Sequence, residues 1–75
     1  MIVPLSGLRP REKGRVLSIL AGKGAARRLM ELGLVPGETV EVISNYHGPV
    51  VVRVRGCVFA LGRGLASKVV VEVID

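Results

Sequence analysis

Three stretches of this chain set valine at every second position: "ETVEVIS" (38–44), "VVVRVRG" (50–56) and "KVVVEVI" (68–74). Side chains on a strand point alternately to opposite faces. Val40 and Val42, then Val50, Val52 and Val54, then Val69, Val71 and Val73 therefore make three apolar rows, with Thr39, Glu41, Arg53, Arg55 and Glu72 turned the other way. "NYHGP" lies between the first two rows and reads as a hairpin loop. Matching the apolar faces sets Val42 opposite Val52 and Val40 opposite Val54. The same register sets Glu41 across from Arg53, a favourable exposed pair. A slip of one residue would turn every valine to solvent.

Two further strands are weaker. "GRVLSIL" (14–20) is β-branched but alternates imperfectly. "CVFAL" (57–61) puts Cys57, Phe59 and Leu61 on one face, predicted to be the core face. Gly56, just before it, marks a barrel corner or bulge. "MIVPLSGL" reads as an extended arm or turn packing Leu5 and Leu8 on the body, "RPREK" as a polar turn, and "GRGLAS" as a short turn of about one helical repeat. Five strands this short cannot cover an open sheet, so the chain is expected to be mainly β, a small five-stranded barrel with one short α-helix inserted after the first strand. Residues 1–75 read as a single domain, near the lower size limit for a self-sufficient core.

The inserted helix and its exit occupy "RRLMELGLVPGETVEVI" (27–43). Ala25, Leu29 and Leu32 recur at helical spacing and are predicted to share a buried face, with Arg27, Arg28 and Glu31 mostly off it. The start is poorly capped, since only Gly22 or Gly24 is available. The end is well specified. Gly33 suits the left-handed C′ position, and Leu34 is then placed to pack on Leu29. Pro36-Gly37 supplies the centre of a type II turn.

The charge is +5, from eleven Lys and Arg against six Asp and Glu, which suits an acidic partner, nucleic acid or an anionic membrane surface. With Tyr46 and Phe59 as the aromatics, a platform of stacked bases is disfavoured. No run approaches the ~20 apolar residues of a membrane helix, and the start lacks the pattern of a signal peptide. Cys57 is the single cysteine, so no internal disulfide forms, which favours the cytosol.

The pieces, in order, resemble the FeoA family of ferrous-iron uptake. "RRLMELGLVPGETVEVI" is similar to its Arg-Arg-Leu, Leu-Gly-Leu, Pro-Gly and valine-strand signature. "GPVVVRVRGCVFAL" and "ASKVVVEV" are similar to its later stretches, and "LSGLRPREKGRVLSI" to its opening, so the resemblance covers nearly the whole chain. It implies an SH3-like barrel and a partner: the cytosolic GTPase region of the FeoB-type membrane permease, with contact to the membrane only through that permease. The same barrel closes metalloregulators of the diphtheria-toxin-repressor type, which makes a stand-alone regulatory domain an alternative.

No residues suggest catalysis. His47 is in a loop, far in sequence from Cys57, and no serine has a base and orienting acid beside it. "AGKGAARR" lacks the spacing of a phosphate loop. Metal sites need three or four converging ligands, and only His47 and Glu41 stand out as weak candidates, so neither a dedicated metal site nor a cofactor is called for. The positive expectation is a protein-binding surface: Arg27 and Arg28 on the helix, Leu34, Val35 and Pro36 at the corner, and Arg53 and Arg55 on the strand, beside exposed Met30, Ile43 and Val51. A small basic barrel binding nucleic acid is the competing reading, opposed by the mixed charges of the strand faces. Weak pairing of copies through open strand edges is a further expectation.

Overall fold

The valine rows meet in the register their alternation demands. β3 (Thr39–Ser44) and β4 (Val50–Val54) run antiparallel with Val42 opposite Val52 and Glu41 opposite Arg53. Val40, Val42, Val50, Val52, Val69 and Val71 have no exposed surface. This computed structural model describes residues 1–74.

Among the described residues six strands form, one more than the sequence suggests. β1 (Ile2–Pro4) comes first, then a 3₁₀ turn (Leu5–Gly7), β2 (Lys13–Ile19), helix α1 (Lys23–Glu31), β3, β4, β5 (Cys57–Leu61), helix α2 (Arg63–Ala66) and β6 (Val69–Ile74). The extra strand is the supposed arm. Ile2 pairs with Glu72 and Val3 with Val71, and the Met1 carbonyl accepts the Val73 N–H at 2.9 Å. A three-residue strand containing proline carries no local signal of its own; its partner lies at the far end of the sequence. Leu5 and Leu8 are buried, as expected of the arm.

The strands make one antiparallel sheet in the order β1-β6-β2-β3-β4-β5. It does not close: β1 and β5 remain its two edges. β1 is short, and Pro4 has no N–H to offer a further neighbour. Molecular extents of 29 × 24 × 22 Å fit a strongly coiled sheet around one core.

The imperfect alternation of "GRVLSIL" has a structural cause. The β2–β6 register shifts between Val16 and Ser18, leaving Leu17 as the extra, exposed residue of a bulge. Gly14, ahead of it, allows a close approach: a Cβ there would stand 2.9 Å from Val71 Cβ. Gly56 is not at a barrel corner. Arg55 (φ 53°) and Gly56 (φ 80°) are the two central residues of a tight hairpin that sets Val54 opposite Cys57. That turn carries Cys57 beyond the valine core. Its side chain is exposed, contrary to the core placement read from alternation, while Leu61 is buried and Phe59 half-buried.

Candidate partner-binding surface

The local sequence makes α1 from strong helix formers, Ala25 to Glu31, behind Gly22, which caps without a side-chain hydrogen bond. Its core contact is narrower than predicted. Leu29 is buried and Ala25 half-buried, but Leu32 is 46% exposed. The chain reverses just beyond Leu32, and Leu34 fills the place against the core instead. The Leu34 N–H donates to the Leu29 carbonyl at 3.0 Å and the Gly33 N–H to the Met30 carbonyl at 3.0 Å, with Gly33 at φ 102°. These are the paired bonds of a Schellman ending.

The turn that follows is tied on both sides. The Glu38 N–H donates to the Val35 carbonyl at 3.0 Å, with Gly37 at φ 93°. Bulged β2 then grips the turn: the Gly37 N–H donates to the Val16 carbonyl at 2.8 Å, and the Val16 N–H to the Glu38 carbonyl at 2.9 Å. Arg55 straps the outside, its Nε donating to Glu38 Oε1 at 2.8 Å. A Cβ on Gly33 would lie 3.8 Å from Arg55 Cδ, so this side chain runs over the helix end. Helix, turn and strand thus form one stiff corner.

The expected contact residues divide into three groups. Arg27, Arg28 and Pro36 are exposed at or beside the corner, and Val35 is half-buried. Leu34 has no exposed surface; it holds the corner up from inside and offers nothing to a partner. Arg53 and Arg55 are exposed but engaged, Arg53 Nη1 with Glu41 Oε1 at 3.1 Å and Arg55 with Glu38. The structure brings Arg55 to the corner and leaves Arg53 farther along the sheet. Met30 is 46% exposed, whereas Ile43 and Val51 are half-buried.

Charge is unevenly distributed. Across the outer sheet face Lys13, Glu41 and Arg53 stand side by side on adjacent strands, and Arg15 stands opposite Glu72. Opposite signs on neighbouring strands cancel most of that face's field. The helices differ. Lys23, Arg27, Arg28, Arg63 and Lys68 lie on or beside α1 and α2 against Glu31 alone. No carboxylate stands within ion-pair distance of them among the described residues. Between the two helices is a cleft of about 300 Å³ lined by Gly24, Ala25, Arg28 and Leu65. Sequence reasoning found Arg28 but missed the α2 side. The signal was the pair Arg63 and Leu65 inside "GRGLAS".

Asn45 was also missed. Its Nδ2 donates to the Ser6 and Leu8 carbonyls at 2.9 and 2.6 Å, and its Oδ1 accepts from Arg63 Nη2 at 2.7 Å. One side chain thus joins the hairpin loop, the 3₁₀ turn and α2. Its being the only Asn, placed where a strand meets a loop, was the available clue. His47 is exposed in the same loop, and Glu41 is engaged by Arg53. Among the described residues no three of His, Cys, Asp and Glu gather where a metal would sit, and no helix is long and apolar enough to cross a membrane.

Comparison with known proteins gives this surface a setting. The FeoA domain model matches residues 3–73. A protein assigned as Fe(2+) transport protein A in Methanocaldococcus jannaschii is 42% identical over 69 residues, covering 92% of this chain and 84% of that protein. A crystal structure of an iron uptake regulatory protein, FeoA, superposes with a TM-score of 0.94 at 43% identity, covering 99% of this chain and 100% of the other. Zinc-bound FeoA of Stenotrophomonas maltophilia, described as a prokaryotic SH3 domain protein, superposes with a TM-score of 0.85 at 36% identity, covering 93% and 89%. The six-stranded coiled sheet is therefore SH3-like, and the chain belongs to the FeoA family of ferrous-iron transport accessory proteins.

Proposed function

We propose that the chain is a non-enzymatic accessory protein of ferrous iron uptake that acts in the cytoplasm by binding the GTPase region of a FeoB-type permease. The observation that carries this reading is the corner itself. Arg27 and Arg28, free of carboxylate partners among the described residues, stand beside exposed Met30, Leu32 and Pro36 on backbone tied down at both ends. Apolar residues rimmed by unneutralised arginine on a rigid support have the composition of binding hot spots. Rigidity also lowers the entropy lost on association. The alternation of charge across the outer sheet face disfavours nucleic acid as the ligand there.

The test is titration of the purified GTPase region of a FeoB-type permease into wild-type protein and into Arg28→Glu. Binding by the wild type, weakened about tenfold or more by the charge reversal, is the expected result. Equal binding by both, or retention of nucleic acid from the cell extract in place of the GTPase region, overturns it.

A further inference from the structure

We infer that the cleft between α1 and α2 receives an acidic amphipathic segment of a protein partner, an apolar side chain of that segment lodging between Ala25 and Leu65 while its carboxylates meet Lys23, Arg28 and Lys68. This deepens the proposed function and rests on the chain's being a partner-binding module.

Three observations converge on the cleft. The first is shape. At about 300 Å³ it is at the lower limit of small-molecule pockets, a size suited to one or two side chains. Gly24 leaves its floor open, since a Cβ there would meet nothing within 4 Å. The second is apolar surface. Leu65 is 37% exposed and Leu20 70% exposed. The two are neighbours through Lys68, whose carbonyl accepts the Leu20 N–H at 2.7 Å and whose own N–H donates to the Leu65 carbonyl at 3.0 Å. The third is charge. Arg28 lines the cleft itself, and the two helices that wall it carry Lys23, Arg27, Arg63 and Lys68 on or beside them against Glu31 alone, so the cleft opens on a cationic surround.

A larger hollow of about 530 Å³ at the β1 end, lined by Met1, Val3, Leu8, Arg9 and Glu12 among others, sets a charged side chain of each sign, Arg9 and Glu12, three residues apart and so makes a weaker case for an acidic partner. A concave site with a small-residue floor favours a protruding side chain over the flat surface of a bilayer. Carboxylates complement its charge, and an apolar residue complements its floor.

The experiment titrates a synthetic helical peptide, rich in Glu and carrying one central leucine, into the isotope-labelled full chain followed by NMR. The expected shifts centre on Gly24, Ala25 and Leu65. Replacing the peptide's leucine by alanine, or its glutamates by lysines, should weaken binding about tenfold or more. Gly24→Met fills the cleft from open space on a helix, so it should keep the fold and lose the peptide. Shifts centred elsewhere, no binding at millimolar peptide, or unchanged binding by a folded Gly24→Met overturns the inference. So does binding of phosphatidylglycerol vesicles by a chain that ignores the peptide. The GTPase region of a FeoB-type permease separates the two readings. If it binds wild type and Gly24→Met equally, the cleft is wrong and the permease reading stands. If it binds neither while the peptide binds as expected, the cleft stands and the permease reading fails.

Discussion

Gly33 and Gly24 sit at opposite ends of one helix and should respond to the same substitution with opposite signs. Gly33 has φ 102°, and a Cβ there would lie 3.1 Å from Val54 Cγ1. Gly33→Ala therefore adds both backbone strain and a close contact, and is expected to cost about 1–2 kcal/mol in urea denaturation. Gly24 has helical backbone and open space around it. Gly24→Ala should raise stability by about 0.5 kcal/mol, chiefly by narrowing the unfolded ensemble. Arg55 poses a finer contest. It holds φ 53°, which a residue other than Gly or Asn adopts at a cost near 1 kcal/mol. Its ion pair with Glu38 is exposed and contributes a few tenths of a kcal/mol. Backbone wins, so Arg55→Asn should stabilise the hairpin by roughly 0.5 kcal/mol, visible as a higher urea midpoint. A lower midpoint would mean that the strap across Gly33 matters more than the turn.

At the scale of elements, contacts between segments distant in sequence decide what no segment decides alone. Asn45 pins the hairpin loop to the 3₁₀ turn through the Ser6 and Leu8 carbonyls. Asn45→Ala leaves two part-buried acceptors without that donor, an expected cost of about 1–2 kcal/mol. Hydrogen exchange should quicken at Leu8, whose N–H closes the 3₁₀ turn on the Leu5 carbonyl at 3.2 Å. The local part of the fold was legible. Period-two valines gave the β3–β4 register, and Gly33, Leu34 and Pro36-Gly37 gave the helix exit, because each is a rule about neighbours in sequence. What stayed hidden was non-local. β1 exists only because β6 offers it an edge, and the alternation of β2 fails after Leu17 because the strand bulges beside Val16, where the corner docks. For the candidate surface the cations of α1 were readable from spacing. The cleft they border was not, because α2 comes from another part of the chain. Leu32 and Cys57, both read as core and both exposed, show the converse error. Alternation and capping rules locate a side chain on a face, but where the core ends is settled by packing.

The whole molecule has two electrostatic regions, a near-neutral sheet face and a cationic helix pair. Docking through the second should weaken progressively with added salt, as measured by titration from about 50 to 300 mM sodium chloride. Stability should hardly follow, since the ion pairs among the described residues are both exposed and worth little. Tm measured over the same range is expected to stay nearly level. The exposed Cys57 supplies another check: its thiol should react with a chromogenic disulfide reagent in the native state at nearly the rate seen in urea, where a core thiol would be protected.

Because β1 lies against β6, the two ends of the fold are side by side, with the Met1 carbonyl bonded to the Val73 N–H. Tension applied at those ends would not load the β1–β6 seam in shear. It would peel the seam open one bond at a time, as a zip opens, at low force. Handles at Thr39 and Val50, at opposite ends of the antiparallel β3–β4 pair, would load that seam in shear and meet far greater mechanical resistance in an optical trap.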